Sequence, residues 1–482
     1  MNMVQQILRG CQKILETVCT FLEEGMTFQE FEEELWETMR SVGREILKVV
    51  LEAKDQEIRK DEKRKEHFEV VRKDERTILT LFGDMTYQRT YYRNRVTREY
   101  THLLDSSTGW KKKRRIDPLL EAFLLEEATD ASYRRAGKVI LKEGRDLPVS
   151  PEVTKRLVPH LERAKSPLSR EEEEKVRRKF CPYLFIEADE DHVTLQEEKK
   201  ASPKKGKTKR LLAKLVYVHE GKVKDGGRTR FCHPHYFAGL YENTESLWYE
   251  VLEYLEEHYD LDRLECIFLC GDGASWIQKG LEIIPKSVFI LDRFHFLQRT
   301  REALAHCSHL LPELHRALQE GSWEGVQGIL RKAHTLRSDP RERNHLRDLR
   351  AYLARNWQGV ENYRRFKHLH PGVSAEAHVS HVLAARLSHR PMAWSRRGVD
   401  RMNYLRALRS NGQSIRHFYL RTYRENLPLF TLPAEVLKRE REKGREAFRE
   451  IYGNLPVLRG PTSSLWMVIK LLSQDYSWTP VI

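Results

Sequence analysis

The residues best suited to chemistry in this chain are acids that follow apolar runs. The stretch Cys266 to Leu297 reads CIFLCGDGASWIQKGLEIIPKSVFILDRFHFL. Its first run, Ile267 to Leu269, ends in Gly271-Asp272-Gly273, a turn whose glycines are free to take positive φ, and Ala274 to Lys279 continues as a short helix. A second run, Val288 to Leu291, ends at Asp292 and passes into a helix through Arg293-Phe294-His295. Upstream, YLFIEADED is an apolar strand from Tyr183 that ends in Glu187, Asp189, Glu190 and Asp191, and downstream Glu376 sits in a helical stretch. Asp-Gly after a strand is ordinary turn chemistry, but strands that deliver acids to one sheet edge also build an active-site rim. Asp189, Asp272 and Glu376 are too distant in sequence for local structure to relate them, so their order has meaning if a sheet gathers them. Two or three converging carboxylates suit Mg²⁺ or Mn²⁺, which take oxygen ligands. A pair of such ions about 4 Å apart can activate water or a 3′-hydroxyl and stabilise the leaving oxygen of a phosphoryl displacement.

The elements needed to position these acids are within the means of 482 residues, enough for about three domains. Lys plus Arg 85 against Asp plus Glu 71 gives a net charge of +14 and a pI near 9.3, which favours a polyanionic partner, double-stranded DNA first. No run has the roughly 18 apolar residues of a membrane span, and the N-terminus lacks the apolar core of a signal peptide. A cytoplasmic protein with no membrane partner is expected. Seven scattered cysteines fit reduced thiols. A zinc site from Cys232, His233, His235, Cys266 and Cys270 is disfavoured, because no Cys-x2-Cys pair exists and two of the cysteines belong to an apolar strand. Glu376, His378 and His381 do not have the order of a His-Glu-x-x-His protease helix.

In chain order, residues 1–76 read as helices, a packing or oligomerisation arm that begins at the capping-box pair Thr27 and Glu30. Residues 77–165 form a β-hairpin around Gly83-Asp84, a basic cluster from Lys111 to Arg115, and three short helices. Those helices suit a helix-turn-helix with Lys112, Arg114, Arg134 and Arg135 toward DNA, and a plain helical bundle reads the same way. A charged linker, 166–180, leads to an α/β region over 181–300 and 371–410 with a mixed sheet. Its basic loop carries Lys204, Lys205 and Lys207. A helical insertion spans 301–370, and a basic helical tail, 411–482, follows.

The strings FIEADED, GDGASWI, LDRFHF, AEAHVSHVLAARL and RPMAWSRRG, with LFGDMTYQRTYYRNR, THLLD and ATDASYRRAGKVI upstream, resemble those of ISLre-type bacterial insertion-sequence transposases, distant relatives of the Mutator-like elements. The resemblance covers about residues 75 to 410. It implies an RNase H-like DDE catalytic domain, two Mg²⁺ or Mn²⁺ ions and no small-molecule cofactor. It also implies DNA element ends and target as partners, and a homo-oligomer as the working form. Carried over by position, Asp189, Asp272 and Glu376 are the metal ligands and catalytic acids. The family's first motif has Gly after the Asp where this chain has Glu190 and then Asp191, so Asp191 stands as the alternate to Asp189. Asp292 and His295 match the family's Asp-x-Phe-His string and take supporting roles, or else form a helix cap with a packed ring. Arg396 and Arg397 join the DNA-contacting set. Trp276 is read as a core anchor rather than a base-stacking residue, and Trp394 as a packed side chain or else a contact to a flipped or frayed end base. The resemblance implies terminal-repeat binding, strand cleavage and strand transfer. The alternatives are a DNA-binding derivative without catalysis and a nuclease without strand transfer.

Overall fold

The computed structural model describes residues 3–142, 149–163, 178–196, 210–226, 228–241, 243–336, 339–369, 375–389 and 392–424, with a few isolated positions beyond. Lys204, Lys205 and Lys207, most of the expected linker and most of the expected tail lie outside the described residues. The chain divides into two compact units. One comprises Met1–Leu124, Gly137–Ser150 and the chain from Tyr419; the other comprises Leu125–Ala136 and Pro151–Phe418.

In the first unit the helices Met3–Thr20 and Phe28–Lys60 pack side by side. Thr27 and Glu30 cap the second reciprocally: Thr27 Oγ1 accepts from Glu30 N and Glu30 Oε2 accepts from Thr27 N at 2.8 Å. Strand β1, Phe68–Thr80, pairs antiparallel with β2, Gly83–Asn94, which pairs with the short β3, Tyr100–Thr101. The first nine residues of β1 had read as helix. Their charges answer residues across the hairpin, Glu69 opposite Arg93 and Glu75 opposite Gln88, whereas the alternation of buried residues starts only at Arg76, Ile78 and Thr80. A charge-dense strand therefore lacks the period-2 signal over most of its length. Ile78, Met85, Tyr87, Leu51 and Leu104 form this unit's small core.

The second unit is built on a five-stranded mixed sheet in the order β10-β9-β4-β5-β8. Its strands are β4, Tyr183–Thr194; β5, Arg210–His219; β8, His235–Gly239; β9, Cys266–Gly271; and β10, Ser287–Leu291. A separate ribbon pairs β6, Lys222–Asp225, with β7, Arg228–Phe231. The strands β4, β9 and β10 run parallel, while β5 and β8 are antiparallel to their neighbours. On β4, Leu184, Ile186 and Ala188 face a core completed by Trp248 and Leu255 of the Thr244–His258 helix and Trp276 and Ile277 of the Ser275–Ile283 helix. Alternation sends Phe185, Glu187 and Asp189 to the opposite face, where Phe185 joins Phe268, Cys270 and Ile290. Trp276 and Trp394 are both buried.

After β10 the chain is helical, over Arg293–Ala303, Leu311–Glu320, Trp323–Thr335, Pro340–Arg355 and Trp357–Arg365. The last two of these helices are separated at the buried Asn356. Apolar residues from these helices, Leu304 through Val360, belong to the same buried cluster as the sheet. No helix among the described residues is long and apolar enough to cross a membrane.

Candidate metal centre

Strand register brings the acids together. Glu187 on β4 is level with Cys270 on β9, so Asp189 and Asp272 each lie two residues further along parallel strands. Leu291 on β10 is level with Gly271, which aligns Asp292 with Asp272, and Asp292 N donates to the Gly271 carbonyl at 2.8 Å. All three aspartates thus emerge at the carboxyl edge of one parallel block, where ligands of α/β sheets bind.

Asp292 caps the Arg293–Ala303 helix, its Oδ1 accepting from Phe294 N at 2.9 Å, and its Oδ2 lies 2.6 Å from His295 Nδ1. It is almost wholly buried, so the cap and the orientation of the imidazole are one feature. The other nitrogen, His295 Nε2, is 3.7 Å from Glu376 Oε2. Ligand atoms of Asp189, His295 and Glu376 lie within 4.8 Å of one another. Asp189 Oδ1 accepts from Glu190 N at 2.8 Å, while its buried Oδ2 has no hydrogen-bond partner among the described residues. A buried carboxylate oxygen left without a donor is costly unless something positive meets it.

Asp272 stands beside this group with its carboxylate turned away, Oδ1 accepting from Ala274 N at 2.8 Å and Oδ2 lying 3.6 Å from Arg299 Nη2. Its charge still reaches Asp189 and His295. Asp191 is outside the group, and its Oδ1 accepts from the Ser388 hydroxyl at 3.0 Å. Glu190 Oε2 accepts from the Trp276 indole at 2.6 Å.

The turn that carries Asp272 depends on Gly273, at φ +86°, where an added Cβ would collide with the Asn356 side chain. Gly271 is needed for closeness, since a Cβ there would press on Ile277 and on the Ala188 carbonyl at 3.0 Å. Gly273→Ala is expected to destabilise the fold by about 1–3 kcal/mol through its left-handed backbone and the collision. A urea unfolding midpoint equal to that of the parent would refute this.

Burial, reinforced by the charges of Glu376 and Asp272, raises the Asp189 carboxyl to about 7 despite the opposing pull of His295. Burial lowers the affinity of His295 for its proton, but Asp292 and Asp189 outweigh it and hold the ring up at about 9. Both folded values exceed the unfolded ones of about 3.9 and 6.5. Each contribution to stability is therefore complete below the unfolded value and is lost as pH rises through the folded one. In EDTA the melting temperature should fall from pH 5 to 9. Asp189→Asn should gain on the parent as pH rises from 5 to 8, and a difference in melting temperature that does not change with pH would contradict the assignment.

Sequence reading did not single out Arg299, Tyr352 or Asn356, which come from the helices after β10. Tyr352 donates to the Asp272 carbonyl at 2.8 Å, and the Arg299 guanidinium lies over the Tyr352 ring at 4.2 Å. Beside them is an open cleft of about 360 Å³, with Glu302, His345 and Asp348 on its walls. No local spacing in the sequence links these residues to Asp272.

The expected DNA-contacting residues divide by environment. Lys112, Arg134, Arg135, Arg396 and Arg397 are exposed. Arg114 is instead held internally, in an ion pair with Glu121 and a hydrogen bond to the Tyr423 hydroxyl at 2.7 Å, with its guanidinium over that ring. Its position in a run of basic residues concealed the acid seven residues later in the chain.

Comparison with known proteins finds relatives that match this chain over nearly all of its sequence. A UPF0236 protein of Caldanaerobacter subterraneus subsp. tengcongensis is 31% identical over 471 residues, 97% of this chain and 98% of that one. Another from the same strain, with a name that joins eleven locus designations, is also 31% identical over 471 residues, 97% of each chain. A protein of Streptococcus gallolyticus, named for the vanSb 3′ region, is 24% identical over 463 residues, 94% of this chain and 98% of its own. Among solved structures, the Drosophila P element transposase strand transfer complex aligns over 67% of this chain and 84% of that one, with 11% identity and a TM-score of 0.23, a similarity too slight to assign a fold. The model of the uncharacterised protein family UPF0236 matches residues 21–422, and the chain belongs to that family.

Proposed function

We propose that this protein is the DNA transposase of an insertion sequence, with an RNase H-like catalytic domain formed by the mixed sheet and its helices. The observation that carries this reading is the sheet edge itself: Asp189 and Glu376 facing each other across His295, with Asp272 level with Asp189 on the adjacent parallel strand. The orphaned Asp189 Oδ2 and the oxygen-rich donor set fit a hard divalent cation. Asp189 and Glu376 would hold Mg²⁺ or Mn²⁺, with Asp272 joining them once its carboxylate leaves Ala274 N and Arg299. Such an ion, when bound, supplies positive charge to the phosphodiester oxygens.

The chain's own residues supply the rest. Asp292 fixes the His295 ring, whose Nε2 is directed at Glu376 and can donate to a phosphate oxygen that enters there. The half-exposed Arg299 can leave Asp272 for a second phosphate oxygen. Exposed Lys112, Arg134, Arg135, Arg396 and Arg397, on a chain of net charge +14, would hold the duplex backbone. The relative named for eleven loci in one strain agrees with this reading, because a gene that copies itself leaves its product at many loci. Work on paired DNA ends as a homo-oligomer in the cytoplasm completes the proposal.

The test is incubation of purified protein with a duplex of the DNA flanking its gene and with Mg²⁺ or Mn²⁺. Cleavage at an element end followed by joining of the freed 3′ end to a second duplex is the expected result. Cleavage without joined products would indicate a nuclease, and tight binding with no cleavage a DNA-binding derivative.

A further inference from the structure

Glu376 lies in the first turn of a helical stretch, Ala375–His378, that continues without a break through the π-helical Val379–Ala384 to Leu387. Its carboxylate is exposed, and the side chain must face Asp189 for the two to share a ligand. Two residues further on, His378 is seated among rings of the sheet and its ribbon. It stacks on Tyr217, with centroids 4.4 Å apart and planes 22° apart, and meets the edge of Phe231 at 4.5 Å. Its Nδ1 is 3.0 Å from the Tyr236 hydroxyl.

That seat is fixed from below. Tyr217 on β5 pairs in register with Glu187 on β4 and with Tyr236 on β8. Tyr217 also donates to Glu187 Oε2 at 2.6 Å. Glu187 is on the same face of β4 as Asp189, two residues before it. A set of contacts thus runs from the strand that presents Asp189, through Tyr217, to the ring two residues past Glu376.

We infer that His378, seated on Tyr217, Phe231 and Tyr236, is a positioning residue that sets Glu376 opposite Asp189. This rests on the reading of Asp189 and Glu376 as cation ligands and adds the group that aligns them. Stacked rings and one hydrogen bond restrain both the height and the rotation of the helical turn that carries Glu376. Groups that orient ligands in this way typically change metal affinity by about 10–100-fold when removed.

The test is titration of the full-length protein with Mn²⁺ alone, followed by electron paramagnetic resonance, for the parent and for Asp189→Asn, His378→Ala, His378→Phe and Tyr236→Phe. The parent should bind and Asp189→Asn should not. His378→Ala should bind about tenfold more weakly or worse, whereas His378→Phe, which keeps the stack, and Tyr236→Phe, which loses the same hydrogen bond, should each bind about threefold more weakly. The dependence on a retained ring separates positioning from a general loss of structure. Affinity of His378→Ala within about twofold of the parent overturns the inference while leaving the metal site standing. If His378→Ala does not fold, unchanged affinity in Tyr236→Phe overturns it equally, since that variant lacks a single hydroxyl. A parent that binds no better than Asp189→Asn overturns the metal site and the inference together.

Discussion

Asp189→Asn is expected to reduce metal-dependent DNA cleavage at least about a thousandfold while the protein remains folded. Asparagine keeps the shape and can still accept from Glu190 N through its oxygen, so the middle of β4 is not disturbed. What it loses is the ability to carry negative charge at an oxygen that accepts no hydrogen bond among the described residues. Charge stabilisation by a bound cation is worth several kcal/mol, and about 1.4 kcal/mol is tenfold in rate, so loss of a ligand reaches three decades. Glu376→Gln should behave alike. Asp191→Asn provides the contrast, because that side chain is turned to Ser388, and its activity should stay within a few-fold of the parent. Cleavage of a labelled element-end duplex, with circular dichroism as the control on folding, decides the matter. If Asp189→Asn cleaved within tenfold of the parent, Asp189 would not be a ligand.

The largest effect on stability is expected from Glu187→Ala. Glu187 is fully buried and meets Lys222 Nζ at 2.9 Å, His219 Nε2 at 3.2 Å and the Tyr217 hydroxyl at 2.6 Å. Burial alone would raise its carboxyl, but His219, Lys222 and Tyr217 reverse that and hold it down at about 2. A depressed carboxylate contributes stability that is present above its unfolded value, about 4.3, and is lost only as pH falls through 2. Removing the acid leaves the Lys222 ammonium and the His219 ring in a desolvated site. Breaking such a buried pair typically costs about 3–5 kcal/mol, and Glu187→Gln, which keeps hydrogen bonds, should lose less. Urea unfolding near pH 7 measures both, and a loss under about 1 kcal/mol for Glu187→Ala would show that the network is dispensable.

The residues differ in how legible they were beforehand. The turn at Gly271-Asp272-Gly273 and the acid after FIEA could be read because an apolar run stopped by a carboxylate is a local pattern. The mixed sheet followed from alternating strand and helix patterns, and a five-stranded mixed sheet is present. The bend of Asp272 toward Arg299 could not be read, because Arg299 and Tyr352 belong to helices whose packing is decided in three dimensions. His295 was marked only as a supporting residue or a packed ring, yet its ligand atom lies in the same group as those of Asp189 and Glu376. What joins it to them is the height of a helix start at the end of β10, and one-dimensional spacing carries no such height. Arg114 shows the opposite error: composition marked it as surface, and a single acid with two tyrosines placed it inside.

The parallel register of β4, β9 and β10 has a consequence for inheritance. The acids are located by counting along hydrogen-bonded strands, two residues past Glu187 and two past Cys270, so the identity of the side chains around them matters less than the count. A chain built this way can exchange most of its core while preserving its chemistry. It can also lengthen the helices after β10, where closing a longer loop adds little entropy. Loss of one residue within β4 is another matter, because it would turn Asp189 to the opposite face of the sheet. The vulnerable inheritance is thus a number of residues, held by backbone amides, and it would be broken by a single in-frame codon deletion more surely than by many substitutions.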